Sequence, residues 1–439
     1  MNTHFLAGYA KVNYTPDFPV GLAGYGGDDA RITTDVVMPV CITCVAVTEE
    51  DTTVLLYTVD TCGLRLHHAR TFREAVCAAT GVPAENIFFG ATHCHNGPSM
   101  SPDSKPSVAK TVERMGDAAV EAAKTALADR AKAEILAASP EIKGMNFTRH
   151  YRLADGTRTT SNTGMKKDAA IAGHLGPSDS HMVLVKFARE EKKDILLVNW
   201  QAHPDSAKQI GFASIAPGWI GPMRDTLEAD SGALVAYFTG ASGNQTTDSR
   251  IPQFKHGLSW REYGEKLAHM ASAALSELKP VEGTGIRTAR TMLDVEVNHT
   301  EDHKLEQAKE VAAVMAAEGK EAALALCRRY GFSTPRHAAG AIMRAGMEKT
   351  DRLELNAFRI GSIGFANNTC ETFSDQGLFI KHYSPYEYTF VITGNRSYLA
   401  AAPAYDYHAY EAVGGSGYYI RGTAEKMADR MVHLLEEVK

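Results

Sequence analysis

The stretch ATHCHNGPS, residues 91–99, sets His93 and His95 two apart behind the apolar run NIFFG and then turns at once. Three other apolar runs end on residues of comparable chemistry. LLVNWQAHPDS delivers His203 just before Pro204, GFANNTCETF delivers Glu371, and AYDYHAYEAVGG places Tyr410 and Glu411 ahead of a glycine pair. Residues two apart on an extended chain point the same way, so His93 and His95 are expected to share a face. Histidine nitrogens plus a carboxylate, with one position left open, are the donor set of catalytic zinc. Taken singly, each residue has an ordinary reading: a strand-end His in the core or rim, a Glu in a salt bridge, a Tyr in packing. The HxH pair raises the metal reading, and spacing alone does not choose between its two histidines.

The elements that must position these residues are legible from periodicity. CITCVAVT and TVLLYTVD are β-branched apolar runs separated by the turn-like EEDT, and NIFFGATHCH is a further strand. HHARTFREAVCAATG reads as a helix closed by Gly81, and the long PSVAKTVERMGDAAVEAAKTALADRAKA as an amphipathic helix followed by the strand AEILAASPEI. Residues 145–180 are polar and rich in Gly, Asn, Asp and Thr, which predicts loops. HMVLVKFAR and DILLVNWQAH predict a hairpin, and GALVAYFTGASGNQTTDSR a strand entering a Gly-rich turn whose backbone N–H groups can approach a site. WREYGEKLAHMASAALSEL is helical, LELNAFRIGSIGFANNTCET and TFVITGNRSYLAA are strands, and TAEKMADRMVHLLEEVK closes the chain as a helix. Residues 303–349, rich in Ala, Glu, Lys and Met, predict two or three helices interrupting strand-rich text. The expected fold class is mixed α/β (α+β): a multi-sheet β core flanked by helices. The expected organisation is one domain over 1–439 with a helical insertion at about 303–349.

Composition narrows the function. The chain has 439 residues, 44% apolar and 22% charged, with a formal net charge of −6. Its Lys/Arg runs are no longer than pairs, which argues against a nucleic-acid or anionic-membrane surface. No segment approaches the ~20 apolar residues that span a bilayer. The opening MNTHFLAGYAKVNYTPDF lacks a basic region followed by an apolar core, and the seven cysteines make no spaced framework, so the cytoplasm is the expected compartment. CITC at 41–44 lies inside an apolar run and reads as strand, not as a redox or zinc motif. NHT and NRS match the glycosylation sequon by chance on this reading.

In order and wording, these segments resemble the catalytic N-terminal domain of the neutral/alkaline (non-lysosomal) ceramidase family. AGYAKVNYTPDFPVGLAGYG is similar to that family's opening, ATHCHNGPS to its THTHSGP motif and VNWQAHPDS to its NWFAVHPTS segment. TCETF falls where its PGEF stands and HAYEAVGG where its YE motif stands. The resemblance implies the ceramidase catalytic-domain fold and a zinc amidase of lipid metabolism, with Zn²⁺ held by His93, His203, Glu371 and Tyr410. It further implies His95 beside the metal as the residue that contacts substrate or moves a proton, and an active-site arginine at Arg149, with Arg152 the alternative. Where the family has GDVSP, this chain has GNQTTD, so Asn244 stands for the Asp and Thr246 for the Ser. Threonine keeps a hydroxyl; asparagine takes up no proton at neutral pH. On this reading, no C-terminal immunoglobulin-like domain is expected.

The expectation is therefore a zinc-dependent hydrolase that cleaves an amide bond with metal-activated water, on a small-molecule or lipid amide that need not be ceramide. His95 would pass a proton to the leaving amine, and Arg149, Thr246 and Asn244 would line the reacting group. The alternatives are a hydrolase of an ester, lactone or polar amide, and a metal-dependent binding protein in which the altered GNQTTD marks lost chemistry.

Overall fold

Two β-sheets packed face to face form the middle of this computed structural model, with helices on both outer faces. That is the mixed α/β, multi-sheet architecture expected from the sequence. The structure describes residues 5–25, 31–161, 165, 168–394 and 396–439; Gly26 and Gly27 of the Gly-rich opening and Asn395 of the NRS sequon lie outside them.

In the larger sheet the strands follow one another in space as Leu234–Thr239, Ile195–Trp200, Val183–Arg189, Ala131–Ala138, Phe5–Asn13, Cys41–Glu49, Thr52–Val59 and Ile87–Ala91. The inner pairings are antiparallel, including the expected hairpin of Val183–Arg189 with Ile195–Trp200, but the pair at each end is parallel. A parallel pair needs a crossover. The helix Leu66–Thr80 makes one, closed by Gly81 in the left-handed conformation, and the segment containing the helix Ile220–Ser231 makes the other. The sheet curls until its two ends meet. Thr239 Oγ1 donates to the Thr92 carbonyl at 2.8 Å, Thr58 Oγ1 to the Tyr237 carbonyl at 2.6 Å, and Tyr9 Oη to the Val235 carbonyl at 3.0 Å.

The second sheet holds Ile286–Glu296, Thr350–Ile360, Ile363–Asn368 and Tyr388–Ile392. Phe358, Phe365 and Phe390 from it meet Phe88, Val185 and Leu197 in the shared core. The helix Pro106–Ala128 covers the outside of the larger sheet through Met115, Ala119, Ala122 and Ala126, a stripe at helical spacing. The helix Thr423–Glu437 covers the outside of the second through Met427, Met431 and Leu435. Ile286–Glu296 and Thr350–Ile360 pair along their whole length, and the chain between them makes three helices, Leu305–Ala317, Lys320–Tyr330 and Pro335–Ala345. These bury a small core of their own around Val311, Cys327 and Phe332.

One expectation is corrected. Within 145–180, His150–Leu153 pairs with Arg158–Thr160 and with Ile171–His174 as a small sheet, where composition predicted loops. These strands lack apolar alternation, which hid them. The turn ADG did signal the hairpin: Gly156 takes φ 84° and Asp155 Oδ1 accepts from Thr157 N. No described helix is long and apolar enough to cross a membrane.

The layers are pinned by a buried ion pair. Arg73 of the helix Leu66–Thr80 grips Glu354 of the second sheet with two bonds, at 2.6 and 3.2 Å. Burial raises the Glu354 pKa, but the hydrogen bond and charge of Arg73 prevail and hold it below the usual carboxylate value. A depressed folded pKa gives stability that is present above the unfolded value of ~4.3 and is lost as pH falls through the folded one. Wild type is therefore expected to lose more stability between about pH 5 and pH 3 than Glu354→Gln does. Arg73→Ala should cost about 3–5 kcal/mol in urea unfolding, because it strands a buried charge. Equal acid sensitivity, or a loss under ~1 kcal/mol, would show that the pair is not anchoring the layers.

Candidate metal centre

The site lies where the two parallel strand ends converge. The strand Ile87–Ala91 stops at Ala91, and the chain then runs through Thr92 into His93, whose φ of 60° is left-handed and uncommon for any residue but glycine. The two-apart rule for extended chain therefore does not apply to His93 and His95. They converge because the chain kinks, not because it stays straight. The loop beyond them is pressed flat: a Cβ on Gly97 would stand 2.8 Å from the Asp60 carbonyl oxygen, which explains a glycine after His-Asn. His203 follows the strand Ile195–Trp200, and Glu371 sits in a two-residue strand parallel to Tyr398–Leu399.

Three imidazoles meet at one point. His93 Nε2 is 3.1 Å from His203 Nε2 and 3.3 Å from His95 Nε2, and the last two are 3.1 Å apart. His93 Nε2 is also 3.3 Å from Glu371 Oε2. The opposite ring nitrogens settle what these contacts are. His93 Nδ1 stands 2.7 Å from the Cys62 carbonyl and His203 Nδ1 3.3 Å from the Ser242 carbonyl. A carbonyl only accepts, so hydrogen bonding assigns each proton to Nδ1 and turns each Nε2 lone pair inward. Facing lone pairs at 3.1 Å repel. One extra proton relieves one contact; one central cation relieves them all. Donors ~2.0–2.1 Å from a tetrahedral zinc stand about 3.3–3.4 Å apart, close to the spacings here. Among the described residues Glu371 Oε2 is buried without a hydrogen-bond partner, which suits a metal-ligating oxygen. Burial, then the neighbouring His93 and Arg149, holds the pKa of both His95 and His203 well below the usual imidazole value. Neutral imidazole is the form that binds a metal.

His95 differs from its neighbours. Its Nδ1 is buried with no hydrogen-bond partner among the described residues. Its ring is backed by Gly24, where a Cβ would fall 2.5 Å from His95 Cγ, and its carbonyl accepts from Arg31 Nη2 at 2.8 Å.

Arg149 forms the other side. Its Nε donates to Glu411 Oε1 at 3.0 Å, and its Nη2 to the Gly243 carbonyl at 2.6 Å, to Tyr410 Oη at 3.1 Å and to Tyr398 Oη at 3.2 Å. The two phenols are 2.6 Å apart. Burial raises the Tyr410 pKa above the usual phenol value, Glu411 and Glu371 add to this, and Arg149 opposes it. Arg152, the alternative to Arg149, is exposed on the small sheet and does not line the cavity.

These groups share one cavity of about 1020 Å³, lined by His93, His95, His203, Glu371, Arg149 and Tyr410 among others. Asn244 and Thr246 do not line it. Asn244 Oδ1 accepts from Ser374 N at 2.8 Å and Ser374 Oγ at 3.1 Å, holding the start of the helix Ser374–Tyr383. Thr246 pairs with Phe147 in a two-strand ladder. The Gly-rich turn also differs from expectation. The N–H groups of Gly243 and Gln245 are engaged by the Thr372 and Ser242 carbonyls, and the turn addresses the site with carbonyls, from Ser242 to His203 and from Gly243 to Arg149. Tyr398 and the buried Asp60–Arg224 pair went unnoticed in the sequence. Asp60 binds Arg224 at 2.7 and 3.0 Å and steadies the segment that carries the Cys62 carbonyl. Nothing local to SYL or TVDT signals either role.

No protein-family model matches the sequence, and neither does any curated protein. Solved structures do match. A neutral ceramidase from Pseudomonas aeruginosa superposes with a TM-score of 0.71 at 16% identity, covering 100% of this chain and 75% of that one. A ceramidase complexed with C2 superposes with a TM-score of 0.71 at 16% identity, covering 99% and 75%. The likeness is one of fold, shared along the whole of this chain.

The Asn244 geometry carries a test. Asn244→Ala should cost about 1 kcal/mol in urea unfolding, since it unpairs the buried Ser374 N–H at a helix start while the Ser374 hydroxyl keeps the Pro177 carbonyl. Zinc stoichiometry, read by plasma mass spectrometry, should stay unchanged. A variant of wild-type stability that no longer holds zinc would place Asn244 in the site instead.

Proposed function

We propose that this chain is a zinc-dependent hydrolase of amide bonds. The observation that carries the reading is the pair of inward Nε2 lone pairs of His93 and His203, 3.1 Å apart, beside a Glu371 oxygen with no hydrogen-bond partner among the described residues. The ceramidase fold of the two solved structures supports the choice of amides.

His93, His203 and Glu371 would hold the ion, with Tyr410 as the fourth donor. Bound zinc supplies a Lewis acid that brings the pKa of a coordinated water to ~7 and polarises a carbonyl. The chain's own residues do the rest. The Cys62 and Ser242 carbonyls keep His93 and His203 in the tautomer that presents Nε2. His95, with Nδ1 uncommitted, can hold a proton at either nitrogen, which suits passing one from Nε2 to the leaving nitrogen of the amide. Arg149, charged and locked by Glu411, fixes the Tyr398 and Tyr410 oxygens; with Tyr410 given to the ion, the Tyr398 hydroxyl is left as the donor for a developing oxyanion. Asn244 and Thr246 take no part in this scheme.

Purified wild type is expected to carry about one zinc per chain by plasma mass spectrometry, and His203→Ala to lose it. His95→Ala should keep its zinc and lose about 10²–10⁴-fold in turnover of an N-acyl substrate. Wild type that takes up no stoichiometric metal even when zinc is offered would sink the reading. Loss of zinc in His95→Ala would move His95 into the ligand set.

A further inference from the structure

The cavity is charged opposite to the chain that builds it. The chain is net −6, yet among the described residues the cavity wall carries six cations, Arg65, Arg70, Arg149, Lys208, Arg336 and Arg396, against two carboxylates, Asp205 and Glu371. Four of the cations have carboxylates of their own. Arg149 has Glu411 at 3.0 Å and Arg396 has Asp351 at 2.5 Å, while Arg65 and Arg70 have Asp103 and Glu354 at 3.9 Å. Among the described residues Lys208 and Arg336 have no carboxylate within 4 Å, although Asp205 on the same wall feels the charge of Lys208, and both cations are exposed.

These two come from unrelated segments. Lys208 lies in the short helix Ala207–Ile210, just beyond His203. Arg336 is brought by the helix Pro335–Ala345 of the inserted block, with its guanidinium carbon 5.9 Å from the Tyr410 ring centre. That helix is fastened to the Tyr410 segment by Arg344, whose Nη1 donates to the Val413 carbonyl at 2.8 Å and the Gly417 carbonyl at 3.0 Å. The placement of Arg336 is thus built, not incidental. Apolar material is scarce by comparison. The aliphatic side chains larger than alanine on the wall are Leu64, Leu66 and Met100, too few to bury long acyl chains.

We propose that the substrate is a small amide bearing an anionic group, a carboxylate or a phosphate, which Arg336 and Lys208 bind at the cavity mouth while the amide lies at the His93–His203–Glu371 centre. Cations in a cleft concentrate an anion and orient it. A guanidinium matches the two oxygens of either anion. The part about the amide rests on the hydrolase reading; the anion site does not.

The test separates the two. Zinc-loaded full-length chain is titrated by calorimetry with N-acetyl-glutamate amide, N-acetyl-phosphoserine amide and the uncharged N-acetyl-glutamine amide. At least one anion is expected to bind about tenfold or more tighter than the uncharged probe, and to weaken with salt. Which of the two binds tells carboxylate from phosphate. The double variant Lys208→Gln/Arg336→Gln should erase the preference, and Lys208→Arg should keep it. Both side chains are exposed, so folding is not at stake, and an unchanged urea midpoint checks this. Equal binding of all three probes, no binding of any, or a preference that survives the double variant would overturn the proposal. Turnover of the same probes is read separately. An anion preference without cleavage of any amide leaves the anion site standing and counts against the hydrolase reading.

Discussion

Everything at the centre depends on the closure of one sheet. His93 and His203 leave strands at or beside opposite ends of an eight-strand path, and a flat sheet would hold them far apart. The curl brings them together, and three hydrogen bonds hold the seam: Thr239 to Thr92, Thr58 to Tyr237 and Tyr9 to Val235. Each end pair is parallel, so each carries a crossover that returns the chain and leaves the carboxyl ends of its strands on the same side. Loops at such ends are where α/β sheets place ligands. The left-handed His93 and the flattened Gly97 are the local cost of turning the chain within that seam.

A cationic cavity wall repels a cation-binding centre, and magnitudes decide between them. A unit charge ~8 Å from a divalent ion opposes it by about 1 kcal/mol through water and by about 4 kcal/mol at the effective dielectric of ~20 of a protein site, and screening at physiological salt cuts this further. Zinc held by a full donor set gains about 10–16 kcal/mol in small zinc domains. The wall can therefore attract an anion without expelling the metal. The nearest cation, Arg149, is the one neutralised by a buried carboxylate, Glu411. Glu411 in turn stays ionised: burial raises its pKa, but His150 and Arg149 outweigh burial and hold it below the usual value.

Sequence pattern reached the fold class and most of the long elements because these obey periodicity. The helix Pro106–Ala128 shows a clean apolar stripe, and the runs at 41–59 and 183–200 are β-branched and apolar. Where side chains are chosen for hydrogen bonding, the signal vanished. The strands of 147–174 carry Arg, His and Thr, and their pairing is set by the backbone. The histidines, Glu371, Arg149 and Tyr410 were found through wording shared with a family, and the structure brings them to one cavity. What wording could not give is which ring nitrogens are committed. That depends on the carbonyls of Cys62 and Ser242, and backbone acceptors leave no trace in residue type.

The replacement of an aspartate by Asn244 looked, from sequence, like a change in chemistry. The fold gives it a different weight. Asn244 Oδ1 is occupied by two donors of Ser374, and its carbonyl accepts from Arg149 N at 2.9 Å. An amide oxygen that accepts from Ser374 at a helix start does not act as a base on a substrate. The neutral amide performs the capping task without placing another buried charge near Arg149. The proton-handling role is proposed for His95, which lines the cavity and whose Nδ1 has no hydrogen-bond partner among the described residues; the exchange at 244 leaves both features in place.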